Sequence, residues 1–177
     1  TGGSLTQTSA LLLNKGLISK EKVRTIINLM QTTSASYLLL ASLDLARKHL
    51  AINGKKIWGK LLPLCEKAKA EIGKIPGLSV ISRDEYVNGK EIYDYDETKI
   101  VVRVNELGLT GFEVYDLFKE KYQIQLELAE TYVVLAIVGP GDTEENIALL
   151  VNAFKSLSQE YYGQRPPFNI PLTGLFE

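Results

Sequence analysis

With 177 residues, 45% of them hydrophobic, the chain is long enough to bury a core. Its formal net charge of -1 supplies no basic field to attract nucleic acid or an anionic membrane. A single cysteine excludes an internal disulfide framework and fits a reducing cytoplasm. With a single histidine besides, only carboxylates are left to build a metal site, and none cluster at ligand spacing. No apolar run is long enough to span a bilayer.

In chain order, Thr1-Gly2-Gly3-Ser4 is small, flexible and without a starting Met, and it reads as the cut edge of a longer polypeptide. Residues 5–13 read as a loop entering a short buried strand, closed by the turn Asn14-Lys15-Gly16. Ser19 caps a predicted helix over 20–30, with Val23, Ile26, Ile27 and Met30 on one stripe. A second helix over about 35–52 is apolar nearly all round at its start, which predicts burial against a sheet or a second subunit. Asn53-Gly54 is a left-handed C-cap signal and should end it. A third helix over about 55–75 carries Ile57, Leu61, Leu64, Ala68 and Ile72 on one face, and Pro63 should kink it or mark its first turn.

After Pro76-Gly77 the texture changes. Residues 78–81 read as a strand, Asn88-Gly89 as the turn of a β-hairpin, and 99–104 as a further strand. Thr110-Gly111-Phe112-Glu113 has capping-box spacing and opens a helix to about Tyr122. Residues 124–128 and 132–138 read as two more strands. Thr143 caps a last helix to about Tyr161, with Ile147, Leu150, Val151, Phe154 and Leu157 inward. The order β-β-α-β-β-α predicts a largely antiparallel sheet with helices on one face. A proline-rich exit follows over 164–177.

Few side chains offer chemistry. His49 sits near the predicted C-terminal end of its helix, where an imidazolium meets the dipole favourably, a structural role. Cys65, between Leu64 and Ala68, reads as a buried inert thiol despite Lys67 and Lys69 nearby. Glu91, Asp94, Asp96 and Glu97 form an acidic run that misses calcium-loop spacing and fits a solvated turn. Gly139-x-Gly141-Asp142 lacks the third glycine of a dinucleotide loop and reads as turn plus cap. A leading Thr1 admits a separate reading, the N-terminal-threonine hydrolases, although no Lys or hydroxyl partner is recognisable.

The richest stretch is Gln31-Thr32-Thr33-Ser34-Ala35-Ser36-Tyr37, in which five hydroxyl side chains and an amide precede an apolar helix. Two readings fit. Ser34 or Ser36 is an ordinary N-cap. Alternatively, the hydroxyls and free helix amides hold a phosphate where the macrodipole favours negative charge.

A resemblance bears on that choice. Thr1-Gly-Gly-Ser-Leu-Thr-Gln-Thr-Ser-Ala-Leu-Leu12 resembles the residues right after the cofactor lysine in the ornithine/lysine/arginine decarboxylases, pyridoxal-phosphate enzymes of the aspartate-aminotransferase fold. Gln31 to Tyr37 resembles that family's Thr-Ser-Pro-Ser-Tyr motif, with Ala35 where the family has proline. Leu109-Thr-Gly-Phe-Glu113, Ile124-Gln-Leu-Glu-Leu-Ala129 and Gly141-Asp-Thr-Glu-Glu145 are similar to small-domain motifs of its short members.

The resemblance implies an α/β chain with an α+β small domain. Residues 1–53 would be the end of a fold-type I large cofactor domain with its interface helix, 54–76 a linking helix, 77–163 the small domain and 164–177 the exit. No catalytic residue would lie in this chain, the Schiff-base lysine being expected immediately before Thr1. Gln31, Thr32, Thr33 and Ser34 would reach across a homodimer, or a higher homo-oligomer, to the partner's pyridoxal 5'-phosphate or its substrate, with Thr33 foremost. Glu127 would meet the distal cation of a basic amino acid, arginine before lysine or ornithine, or else be a strand carboxylate pointing to solvent. Arg103 would meet the substrate carboxylate or be an exposed strand arginine. The implied role is a cytoplasmic lyase of polyamine biosynthesis, completed by the rest of the same polypeptide. The alternative of another class is a non-catalytic dimerisation domain of the same architecture.

Overall fold

The computed structural model describes residues 2–5, 8–14, 16, 18–31 and 34–169. The first two helices are α1 (Lys20–Met30) and α2 (Tyr37–Ile72). There follow β1 (Ser79–Val80), α3 (Arg83–Tyr86), β2 (Lys99–Arg103) and a 3-10 turn (Asn105–Leu107). α4 (Gly111–Glu120), β3 (Leu128–Ala129), β4 (Val133–Ile137) and α5 (Glu144–Tyr161) complete the described chain. It divides into two compact units, Thr1–Lys55 and Lys56–Glu177, with the division falling inside α2.

The second unit is built on a four-stranded sheet of order β1-β2-β4-β3, antiparallel at every pairing. Ile100 stands opposite Ala136 and Val102 opposite Val134. The period of two turns all four toward the helices, where they are buried. The expected stripe of α5 is buried at every position, and Leu61, Cys65, Ala68 and Ile72 bring the end of α2 into the same core. Phe118 of α4 meets Phe154 of α5 with ring centroids 4.7 Å apart. α4 begins where Thr110 and Glu113 close a complete capping box. Its first residue has no Cβ for a reason: one on Gly111 would lie 2.1 Å from the Glu130 carbonyl oxygen and 2.3 Å from that of Val133.

Tertiary context overrides several local signals. The helix does not stop at Asn53-Gly54; α2 passes through it and through Pro63 as one element of 36 residues. A left-handed cap yields one turn of satisfied carbonyls, whereas continuing delivers the apolar face from Leu61 to Ile72 into the core. Asn88-Gly89 turns the chain, yet no hairpin flanks it. The Asn88 Oδ1 accepts from the backbone N–H groups of Lys90 and Glu91 at 2.9 and 3.1 Å, so the side chain takes donors a strand ladder would need.

Within the first unit, residues 8–14 form no strand, and Leu11 and Leu12 are exposed. A lone strand has no ladder partner. The Leu5 N–H instead donates to the Ser42 hydroxyl at 2.7 Å. α1 forms as predicted, Ser19 accepting from the Lys22 N–H at 3.2 Å. Of its apolar stripe Ile26 and Met30 are exposed in the single chain, as are Leu38 and Leu45 at the start of α2, the stretch expected to pack on a sheet or a second subunit.

Candidate functional site

The hydroxyl-rich stretch forms the joint between α1 and α2. The Gln31 backbone N–H closes α1 on the Ile27 carbonyl at 2.8 Å, and the Gln31 side chain reaches Asn28 Oδ1 at 3.4 Å. Ser36 precedes the first turn of α2. The Leu39 N–H lies 3.5 Å from its hydroxyl, and the Leu40 N–H donates to its carbonyl at 3.0 Å. Ser36 is therefore the cap, which leaves Ser34 outside that role. Gln31, Ser34 and Ser36 are all exposed, and they line a cleft of about 640 Å³. Thr8, Ser9 and Leu39 share the lining, and among the described residues no charged one does. Thr32 and Thr33 lie outside the described residues.

Neutral hydroxyl and amide donors beside the start of a long helix suit an oxyanion. The first amides of the helix have no intrahelical carbonyl to bind, and the dipole favours negative charge there. Thr8 and Ser9 were not among the sequence candidates. The hydroxyls of the Thr6-Gln7-Thr8-Ser9 run were themselves a signal, obscured by reading that segment as a buried strand.

The other candidates lie elsewhere in the fold. Glu127 is exposed beside β3 at the sheet edge, its backbone N–H donating to the Leu135 carbonyl at 2.9 Å. It belongs to the second unit and the cleft to the first. Arg103 forms an ion pair with Glu85, whose carboxyl is held below its usual range chiefly by the Arg103 hydrogen bond. Cys65 is fully buried, which pushes its thiol up. His49 lies well before the end of α2 at Ile72, so no helix terminus acts on it. Its Nδ1 sits 3.4 Å from Asn53 Nδ2.

Members of the acidic run are engaged in ion pairs and hydrogen bonds. Asp94 pairs with Arg83 at 2.7 Å, Glu97 with Lys69 at 2.6 Å, and Asp96 accepts from the Thr98 hydroxyl at 2.6 Å. Among the described residues, no group of three or more His, Cys, Asp and Glu side chains is placed to hold a metal ion. Gly139 donates its N–H to the Asp142 carboxylate at 2.6 Å, so that loop closes on its own side chain. Thr1, the basis of the hydrolase reading, lies outside the described residues.

The family model for the major domain of Orn/Lys/Arg decarboxylases matches residues 1–146, more than half of the chain. The chain belongs to this family. An arginine decarboxylase of Halalkalibacterium halodurans is 47% identical over 163 residues, covering 89% of this chain and 32% of that protein. The arginine decarboxylase of Bacillus subtilis is 40% identical over 159 residues, covering 90% of this chain and 32% of that protein. The chain thus spans about a third of the length of these relatives.

Two solved structures share the fold. The Escherichia coli constitutive lysine decarboxylase superposes with a TM-score of 0.57 at 17% identity, over 82% of this chain and 25% of that one. A Francisella novicida lysine decarboxylase gives 0.59 at 19% identity, over 83% of this chain and 25% of that one. A mixed chain of long helices and a small antiparallel sheet, as found here, fits that likeness.

Proposed function

We propose that this chain is the C-terminal portion of a pyridoxal-phosphate-dependent basic amino-acid decarboxylase with arginine as substrate, ahead of lysine or ornithine. The observation that carries the reading is the family match over residues 1–146, joined to 40–47% identity with proteins named arginine decarboxylases. The hydroxyl and amide donors among the described residues of the cleft suit the phosphate of that cofactor: Ser34 and Gln31 are exposed on it, and Thr32 and Thr33 stand between them in sequence. When bound, the cofactor supplies an electron sink for loss of the substrate carboxylate.

The work assigned to this chain is narrower. Thr32, Thr33 and Ser34 donate hydrogen bonds to the phosphate, across the interface of a homodimer. Gln31 orients the substrate, and Glu127 holds its distal cation with a charge-assisted hydrogen bond. The fold-type I large domain, the preceding lysine and a place in cytoplasmic polyamine synthesis belong to the same reading.

The test uses the full-length polypeptide loaded with pyridoxal phosphate and offered arginine, lysine and ornithine. Carbon dioxide release greatest from arginine is the expected result, and Thr33→Ala should weaken cofactor binding about tenfold, the worth of one lost charge-assisted hydrogen bond. A full-length protein that binds the cofactor but decarboxylates none of the three would overturn the reading.

A further inference from the structure

Between Tyr37 and Ala51, the half-buried positions of α2 are Leu39, Ser42, Leu43, Ala46 and Leu50. Spacings of three and four place them on one stripe of the helix. Residues 2, 5 and 8 meet that stripe in reverse order. A Cβ on Gly2 would lie 3.0 Å from Leu50 Cδ1, so the Gly2 backbone lies close against that side chain. The Leu5 N–H donates to the Ser42 hydroxyl at 2.7 Å. Thr8 lines the cleft together with Leu39.

Ser42 is the one polar side chain of this stripe. Alanine would suit the helix better, since serine competes with the backbone for hydrogen bonds. What serine adds is an acceptor for Leu5. The Leu5 peptide is then tied at both its groups, because its carbonyl accepts from the Thr8 hydroxyl at 3.2 Å. The bonds therefore run from Ser42 to Leu5 and from Leu5 to Thr8, and the next residue is Ser9, exposed on the cleft lining with Gln31, Ser34 and Ser36. With the Thr8 proton committed to Leu5, Ser9 is the member of the pair suited to donate into the cleft.

We infer that Ser42 is a positioning residue of the cleft: through Leu5 and Thr8 it holds Ser9 in the wall, where the Ser9 hydroxyl donates to the phosphate of pyridoxal phosphate. This role rests on the cofactor reading proposed above. Ser42 is not itself among the residues that line the cleft, so it acts only through the backbone it fixes. A donor held in place beforehand spares the ordering of a loose segment on binding. Without the anchor, the Leu5 N–H turns to water and that ordering opposes the ligand.

The test uses the full-length protein, freed of cofactor and titrated with pyridoxal phosphate, with binding read by absorbance. Ser42→Ala should weaken binding about fivefold, the worth of one lost neutral hydrogen bond, and Ser42→Thr, which keeps the hydroxyl, should restore it. Alanine favours the helix, so α2 itself is not weakened by the change. Ser9→Ala should weaken binding by a similar factor, and adding Ser42→Ala to it should cost nothing more, because both remove the same donor. Hydrogen exchange without cofactor is the second readout: the Leu5 amide should exchange about tenfold faster in Ser42→Ala. A Ser42→Ala protein that binds as tightly as the unsubstituted one overturns the inference, as does a double variant whose two losses multiply. Unchanged exchange at Leu5 overturns it equally. Failure of the cofactor reading looks different: the unsubstituted protein itself then takes up no pyridoxal phosphate, which overturns that reading and the role of Ser9 together.

Discussion

The two units of this chain use the same kind of sequence and reach opposite outcomes. Residues 56–169 close on themselves: two antiparallel central strands, three helices and a ring pair place their apolar side chains inside one core. Residues 2–55 carry helices with apolar side chains too, yet Leu38, Leu45, Met30 and Ile26 are exposed in the single chain. An amphipathic stripe stabilises a fold only by the area it removes from water. Among the described residues the first unit offers its stripes no covering surface, and the second has both. Expected burial is therefore a statement about a partner surface as much as about a helix.

That contrast can be broken by mutation. The largest effect should come from Phe118→Ala, where a fully buried ring in contact with Phe154 is lost. About 4 kcal/mol of unfolding free energy should disappear in urea titrations of the second unit's transition. Gly111→Ala should follow at about 3 kcal/mol, because its Cβ meets backbone oxygens that cannot move aside without separating α4 from the sheet.

Thr110→Ala should cost about 1 kcal/mol by the same measurement, removing one half of the capping box. A pH effect accompanies it. The Thr110 backbone N–H, more than any other contact, holds the Glu113 carboxyl below its ordinary value of 4.5. A depressed carboxyl contributes stability above its unfolded pKa and loses it as pH falls through the folded one. Glu113→Gln should therefore flatten the loss of stability below about pH 4.5, where the unsubstituted chain weakens. The effect is small, because the side chain is half exposed.

The smallest effect should be Leu45→Ala, within about 0.5 kcal/mol for the 177-residue chain, since the side chain is 65% exposed. The same substitution in the full-length protein sharpens the comparison. A loss of 2 kcal/mol or more there, about the cost of emptying a core site, would mean that the stripe is covered by chain or subunit beyond these residues.

What the sequence determined by itself was local or periodic. Ser19, the Thr110–Glu113 box and Thr143 mark helix starts through bonds spanning three residues, and all three form as read. The stripe of α5 and the alternation of β2 and β4 are equally legible, since a period of 3.6 or 2 assigns a face before any partner is known. The hydroxyl cluster was legible as donors at a helix start, and Ser36 takes the cap.

Tertiary structure decided what depends on distant chain. Asn53-Gly54 is a stop signal with a local reward smaller than the burial gained by continuing to Ile72. Asn88-Gly89 turns the chain without a hairpin because its own side chain takes the donors. Lys69 meets Glu97 across 28 residues of sequence, a pairing no local pattern announces. Residues 8–14 carry a strand's composition and form none, because a strand exists only against a neighbour.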